Sequence, residues 1–354
     1  MKILFLTRYT EAGSSSRYRS YLYLPYLRQQ GHEITVAPLL SNLYIERLYA
    51  RQSKPIIDIA RSFVRRAINL LQSNHYDLIW LEGEAFPWMP YWIESFLFTS
   101  NMPYVVDYDD ALFHRYDLHS LRVVRMMLGK KIDKVMSHAA LVVVGNTYLA
   151  QRAYDAGAKR VEVVPTVVDV DRYPCTGQPN NQLFIIGWVG SLSTTRYLID
   201  IENVLQEVCQ NGIARLVTVG IRNVALTNVD YKVIQPWSED VEIEEMKKFD
   251  VGIMPLVDSP WERGKCGHKL IKYMTMCRPV IASPVGVNTE IVDHGDNGFL
   301  VTTTKEWIDA LTMLQNDFAL REKMGRAGRK KIEQKYSLQV TAPKLTALLG
   351  KIVR

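Results

Sequence analysis

The chain has 354 residues, 47% of them hydrophobic and 23% charged, enough for about two domains with sizeable cores. That mix excludes a disordered, collagen-like or fibrous protein. The net charge of +6, from 43 Lys+Arg against 37 Asp+Glu, is too small to mark a nucleic-acid binder, and none is expected as a partner; it favours phosphates or an anionic membrane surface.

From the N-terminus, Lys2–Leu6 reads as a buried strand soon followed by Arg8. It lacks the apolar core and cleavage site of a signal peptide, and no stretch approaches the ~18 apolar residues of a spanning helix. A cytoplasmic protein, peripheral at most on the inner face of a membrane, is expected. A loop with Gly13 and Ser14 follows, then an amphipathic helix from about Arg17 to Gln30 and a strand over 34–38. Strand, Gly-containing loop, helix, strand is the unit of a doubly wound α/β sheet. It recurs with a helix near 58–72, strands over 78–81, 104–106 and 141–144, and a strand over 161–164. The Pro-, Gly- and Asn-rich text around residues 173–182 reads as a linker. Beyond it the pattern restarts with strand 183–189, loop 190–195, helix 196–210 and strands at 216–219, 251–255 and 279–282. The expected organisation is therefore an N-terminal Rossmann-like domain over 1–172 and a second over 183–336. A C-terminal helix over 337–354 is expected to pack back on the first.

Four cysteines, Cys175, Cys209, Cys266 and Cys277, lie without CxxC spacing. Neither a zinc site nor a disulfide framework is written there, and reduced thiols are expected. Two basic stretches interleave with apolar residues: Arg61, Arg65 and Arg66 beside Phe63, Val64 and Ile68, and Arg122, Arg125, Lys130, Lys131 and Lys134 beside Val123, Met126 and Met127. Such helices either lie on anionic membranes or present an ordinary solvated face.

The segment from Trp261 to Val301 carries the chemistry. Gly264 and Gly267 open a helix whose first turn holds His268 and Lys269, with Lys265 and Cys266 just before and Lys272 one turn on. Cations at a helix N-terminus are unfavourable by roughly 0.3–1 kcal/mol each, a conflict that a bound anion such as a diphosphate resolves. The turn Gly190-Ser191 allows close backbone approach and offers hydroxyls, and Arg196 follows it. In the first half, Asp107-Tyr108-Asp109-Asp110 ends a strand in a DxD pattern and should face a crevice. With Asp109, the candidate acceptor-side residues are Gly13 and Ser14 in the loop after the first strand, Glu84 after another strand, and Arg17 and Arg19 nearby, which either meet an acceptor phosphate or are solvated helix charges. Phe86, Trp88 and Trp92 either stack on sugars or lipid or belong to the core. No P-loop, HExxH helix or ordered Ser-His-Asp set is present.

The run Lys269–Val301, KLIKYMTMCRPVIASPVGVNTEIVDHGDNGFLV, closely resembles the nucleotide-sugar-binding stretch of glycosyltransferase family 4. IGWVGS at Ile186–Ser191, VVPTVVD at Val163–Asp169 and GHEITV at Gly31–Val36 resemble its other signature segments, so the likeness covers nearly the whole chain. It implies a GT-B fold of two Rossmann-like domains facing across a cleft. The implied activity is retaining transfer of a sugar from a nucleoside-diphosphate donor to a glycan or lipid-linked acceptor, with no metal or other cofactor. It places the donor against Gly190, Ser191, Arg196, Trp237 (beside the nucleobase), Gly264, Lys265, Cys266, Gly267, His268, Lys269, Lys272 and Glu290. Arg196 and Lys269 would stabilise the leaving diphosphate, and Asp109 would orient the acceptor hydroxyl or take its proton. Two family glutamates align with Gly264 and Lys272, neither of which is acidic. An epimerase or hydrolase of the same architecture, or a non-catalytic nucleotide-sugar binder, are the rival readings.

Overall fold

The computed structural model describes residues 1–50, 52–98, 102–180 and 182–353. They divide into two compact units: Met1–Thr166 with Gly264–Cys266 and Thr341–Arg354, and Val167–Arg263 with Gly267–Val340.

The first unit is built on six parallel strands, β1 Lys2–Leu6, β2 Glu33–Val36, β3 Leu78–Glu82, β4 Tyr104–Tyr108, β5 Leu141–Val144 and β6 Val161–Val163. Their order is β2-β1-β3-β4-β5-β6, so the direction of winding reverses between β1 and β3. The inner strands β3, β4 and β5 are buried along their whole length, as unbroken apolar runs in a parallel sheet should be. The helices used below are α1 Ser14–Arg19, α2 Ile56–Leu71, α3 Tyr91–Leu97, α4 Arg122–Leu128 and α5 Lys131–His138. Right-handed crossovers from β2 through β5 set α2, α3 and α5 on one face of the sheet. The helix expected over 17–30 is broken into α1, a 3-10 turn Tyr21–Tyr23 and a helix Leu24–Gln29. Pro25 sits in the first turn of the last piece, where its missing N–H costs nothing. The C-terminal helix Leu338–Gly350 belongs to this unit from Thr341 onward. There the Tyr23 and Thr341 hydroxyls lie 3.1 Å apart and Lys344 donates to the Val163 carbonyl at 3.0 Å.

The second unit repeats the theme with β7 Phe184–Val189, β8 Ala214–Val219, β9 Tyr231–Ile234, β10 Val251–Met254, β11 Val280–Ala282 and β12 Gly298–Leu300. All pair in parallel in the order β12-β11-β10-β7-β8-β9, the dinucleotide-binding arrangement with its reversal between β7 and β10. Its helices include α6 Arg196–Ile199, α7 Glu239–Met246, α8 Pro260–Arg263, α9 His268–Thr275 and α10 Asn288–Ile291. The single helix expected over 196–210 is two, with a break at Asp200–Ile201 before Glu202–Cys209. Separate apolar clusters cover the two faces of this sheet, one containing Ile186 and Trp188, the other Phe249 and Met274. At Gly187 in β7 an added Cβ would fall 1.8 Å from the Phe249 ring, so only glycine lets that ring lie on the strand.

The cysteine expectation is corrected here. Cys175 and Cys277 are joined by a disulfide with Cα atoms 5.3 Å apart. A separation of 102 residues carries no spacing signal; the linker is brought onto the end of α9, where Gln178 donates to the Cys277 carbonyl at 2.8 Å. Cys209 and Cys266 are buried thiols, and burial pushes the Cys209 thiol up to about 11. Among the described residues, no helix is long and apolar enough to cross a membrane.

Candidate functional site

In open α/β sheets, ligands bind at the carboxyl ends of the strands where the winding reverses. Each unit has one such point, and both gather the side chains that the sequence marks.

In the second unit, β7 ends at Val189, whose N–H donates to the buried Tyr273 hydroxyl at 2.7 Å. That bond fixes α9 against the strand end. The chain then turns at Gly190, where a Cβ would lie 2.2 Å from the Trp188 ring. Ser191 and Thr194 close the turn as a reciprocal cap, with the Ser191 N–H donating to Thr194 Oγ1 at 3.1 Å. Arg196 opens α6 with its side chain 61% exposed. Its guanidinium donates to Glu262 Oε1 at 2.5 Å and to the Tyr197 hydroxyl at 2.9 Å. Glu262, on α8, is almost wholly buried. Burial works to raise its carboxyl, but hydrogen bonds from Ser259 and Tyr197, with the Arg196 charge, win and hold it below the usual range. Lys269 in the first turn of α9 lies 4.1 Å from the centroid of the Trp188 ring and 3.5 Å from Thr194 Oγ1. A cation–π contact thus adds a partner that helix rules alone did not foresee. Gly267 takes φ +65° at the start of α9, and a Cβ there would strike Ile291, which seats α10 and its exposed Glu290 beside that helix end. Trp237 follows β9, with its Cδ1 3.4 Å from the position of a Cβ on Gly220, whose own Cβ would meet the Gly190 carbonyl. Gly190, Ser191, Arg196, Trp237, Gly267 and Lys269 therefore converge around the end of β7.

Lys272 is a correction. It is buried and ion-paired with Glu242 of α7, which also accepts the Trp237 indole N–H at 2.8 Å. A lysine at that register points into the unit, so its charge is answered from inside rather than by a phosphate. Gly264, Lys265 and Cys266 belong to the first unit instead. Asn146 donates to the carbonyls of Gly264 and Lys265 at 3.0 Å each. The Cys266 thiol donates to the Asp109 carbonyl at 3.0 Å, and Lys265 Nζ stands 3.9 Å from Asp110. His268 is half-buried at the helix start.

In the first unit, the loop after β1 folds over the reversal point. A Cβ on Gly13 would come within 2.4 Å of Tyr9. Ser14 is exposed, while Ser15 donates to Asp109 Oδ2 at 2.6 Å and Ser16 to Glu82 Oε1 at 2.9 Å. Consecutive serines thus hold two carboxylates from adjacent strands. Glu82, at the end of β3, also accepts the Arg8 N–H at 3.2 Å. Burial, then the neighbouring Asp109 charge, pushes its carboxyl up to about 7.

Three other expectations are corrected in this unit. Arg19 is buried, with two nitrogens on Asp107 and a third donating to the Val164 carbonyl at 2.8 Å, so it meets no acceptor. Glu84 is buried against Lys131 at 2.7 Å and the Tyr116 hydroxyl at 2.8 Å. Lys131 also bonds Glu94 at 2.8 Å and Arg66 caps the Thr7 and Ala37 carbonyls from inside, which removes both from the basic surface expected of them. Arg17 caps its own loop at the carbonyls of Glu11 and Ala12. Phe86 is buried, whereas Trp88 and Trp92 are exposed. Sequence reasoning passed over Glu242 as a partner for Lys272 and gave Glu82 no role. It gave no role to Glu262, three positions beyond Ser259, yet that carboxylate is the one Arg196 engages. Among the described residues, no three His, Cys, Asp or Glu side chains gather into a metal-holding group. Asp107, half of the DxD pattern, is committed to Arg19.

Residues 184–317 match the family model described as glycosyl transferases group 1. The capsular polysaccharide biosynthesis glycosyltransferase CapM of Staphylococcus aureus is 24% identical over 181 residues, 49% of this chain and 48% of that protein; the chain thus spans about half the length of that relative. Sucrose-phosphate synthase of Thermosynechococcus elongatus superposes with a TM-score of 0.73 at 14% identity, covering 99% of both chains. HepE of Anabaena, in complex with UDP-glucose, superposes with a TM-score of 0.71 at 16% identity, covering 99% of this chain and 100% of its own. Residues 184–317 thus match a group 1 glycosyltransferase domain, and the chain that carries them has the GT-B fold.

Proposed function

We propose that the protein transfers a sugar, with retention of configuration, from a nucleoside-diphosphate donor to a hydroxyl of a glycan or lipid-linked glycan, in polysaccharide or glycolipid synthesis. The observation that carries this reading is the convergence of the Gly190–Ser191 turn, Arg196 and Lys269 at the reversal point of the sheet whose segment matches the group 1 family. Main-chain N–H groups of that turn and of the start of α9 bind the donor phosphates. Arg196, already placed by Glu262, swings its exposed fork onto the oxygens that gain charge as the sugar–phosphate bond breaks. Lys269 adds a second positive charge. The acceptor oxygen forms its bond to the anomeric carbon on the face the phosphate leaves, and its proton passes to the departing phosphate, with Asp109 orienting the hydroxyl. This chemistry needs no side-chain nucleophile, and no resident metal is invoked because the diphosphate charge is met by cations of the chain. UDP-sugars are the first donors to try, since HepE is described in complex with UDP-glucose.

The test is a screen of UDP-, GDP- and ADP-sugars by thermal shift, followed by product analysis with the best donor. Arg196→Ala and Lys269→Ala should each lower turnover by roughly 10²–10³-fold and weaken nucleoside-diphosphate binding. Unchanged binding and turnover in both variants would remove the phosphate site from this strand end.

A further inference from the structure

The first unit carries an outward surface that its sheet and polar clusters do not use. Thirteen of the twenty-five exposed large apolar side chains among the described residues lie between Ile56 and Met127. On α2, Ile57, Val64 and Ile68 recur at helical spacing and face out. On α3, Trp92 and Phe96 are 69% and 72% exposed, one turn apart. On α4, Met126 and Met127 are exposed beside the buried Leu128. The helices neighbour one another: α2 touches α3, α3 and α4 both touch α5, and the exposed Trp88 meets His119, just before α4, at 5.7 Å.

The exposed charge on this surface is mainly positive. Arg61, Arg65, Arg122, Arg125, Lys130 and Lys134 are exposed on or beside these helices and α5. The acidic side chains of the same helices are all engaged. Asp58 accepts from Ser41 at 2.6 Å, Glu94 is buried on Lys131, and Asp133 accepts from Arg152 at 2.8 Å. Apolar and aromatic side chains ringed by cations, with no free carboxylate among them, match the interface of an anionic bilayer, where tails take the former and headgroups the latter. A second copy of this chain would bring the same positive rim against itself.

We propose that the first unit docks on an anionic membrane through α2, α3 and α4, with their apolar side chains in the headgroup–acyl boundary. The inference does not require the transfer reaction, since docking is read without substrate.

The experiment is co-sedimentation of the full chain with vesicles of phosphatidylcholine alone and of phosphatidylcholine with phosphatidylglycerol. Binding should require the anionic lipid and weaken as salt rises. The triple variant R122E/R125E/K134E should lose more than about a hundredfold in partitioning, since removing three basic residues costs about fivefold each near such a surface and the new carboxylates are repelled as well. Met126→Asp should lose binding even at low salt, while its melting temperature and donor-induced thermal shift stay at the wild-type values. Equal binding to both vesicles, no loss in the charge-reversal variant, or a wild-type dimer that Met126→Asp dissociates without any vesicle binding would each overturn the proposal. A soluble protein that still turns over donor would sink the docking surface and leave the transferase reading standing; vesicle binding without donor recognition would do the reverse.

Discussion

At the same place in two related sheets, the units treat charge in opposite ways. The reversal point of the first sheet turns charge inward: Arg19 is folded onto Asp107, Glu82 is buried under Ser16 and Arg8, and a short step away Lys131 is enclosed by Glu84 and Glu94. The reversal point of the second sheet keeps its arginine outward, with Arg196 more than half exposed and only its acidic partner Glu262 buried. Their outer surfaces are reversed as well, since the first unit's α2–α4 side is apolar and the second unit has scattered single apolar side chains. The difference teaches that a parallel sheet supplies a location, not a chemistry. A strand end whose cations are buried against internal partners can orient a neutral hydroxyl, while one with an exposed fork can receive a polyanion.

The largest expected effect breaks the inward half of that comparison. Lys131 has a fully buried ammonium between two buried carboxylates. Lys131→Met leaves Glu84 and Glu94 without their shared counter-charge, and such a loss costs about 3–5 kcal/mol. Urea denaturation followed by a probe in the first unit should show this, with the second unit's transition unmoved. For contrast, the exposed Lys305–Asp309 pair of the second unit is expected to contribute almost nothing, because exposed pairs are screened. A Lys131→Met protein as stable as wild type would mean that the first unit does not depend on its inward charges.

A middle-sized effect sharpens the outward half. The Tyr273 hydroxyl accepts the Val189 N–H at the end of β7, and burial pushes its own proton affinity well up. Tyr273→Phe strands a buried N–H, which costs about 1–3 kcal/mol, and it loosens α9 from the strand that carries Gly190. Donor affinity should fall together with stability, measured by calorimetric titration and thermal melting. If stability falls and donor affinity does not, the start of α9 is not a phosphate contact.

Much of this arrangement was legible in the sequence, for a plain reason. Buried parallel strands are short unbroken apolar runs, so β1, β3, β5 and β7 declare themselves within a residue or so. The strands that were not announced are two edge strands that lack such a run, β9 as YKVI because it is half-solvated and β12 as GFL because it is only three residues long. At the site, the glycines were legible because a turn that clashes with Trp188 or Ile291 tolerates nothing else. Long charged side chains were not. Arg19, Arg66, Lys131 and Lys272 read as solvated or ligand-facing cations, yet each is buried against a partner 29 to 88 residues away. Sequence periodicity reports which face of a helix is apolar; it carries no record of a distant carboxylate or carbonyl that makes a cation behave as part of that face.

The smallest effect concerns the two carboxylates of the first unit. Glu82 titrates at about 7 rather than its ordinary 4.5, first because it is buried and then because Asp109 is near. A carboxyl raised in this way keeps its proton in the fold after the unfolded chain has lost it, so it lowers stability as pH climbs from about 4.5 to about 7, with no further change above. Glu82→Gln preserves the hydrogen bonds, since an amide oxygen can accept the Arg8 N–H and its NH₂ can donate to Ser16. The variant should therefore show a flatter dependence of melting temperature on pH between 5 and 7. If Asp109 orients the acceptor as proposed, Glu82 acts through it in turnover: once Glu82 ionises, a second negative charge beside the Asp109 carboxylate strengthens it as a hydrogen-bond acceptor. Wild-type turnover should then rise through pH 7 by less than about tenfold, and the rise should vanish in Glu82→Gln. A step near pH 7 that survives this substitution would assign it to another group and detach Glu82 from the acceptor side altogether.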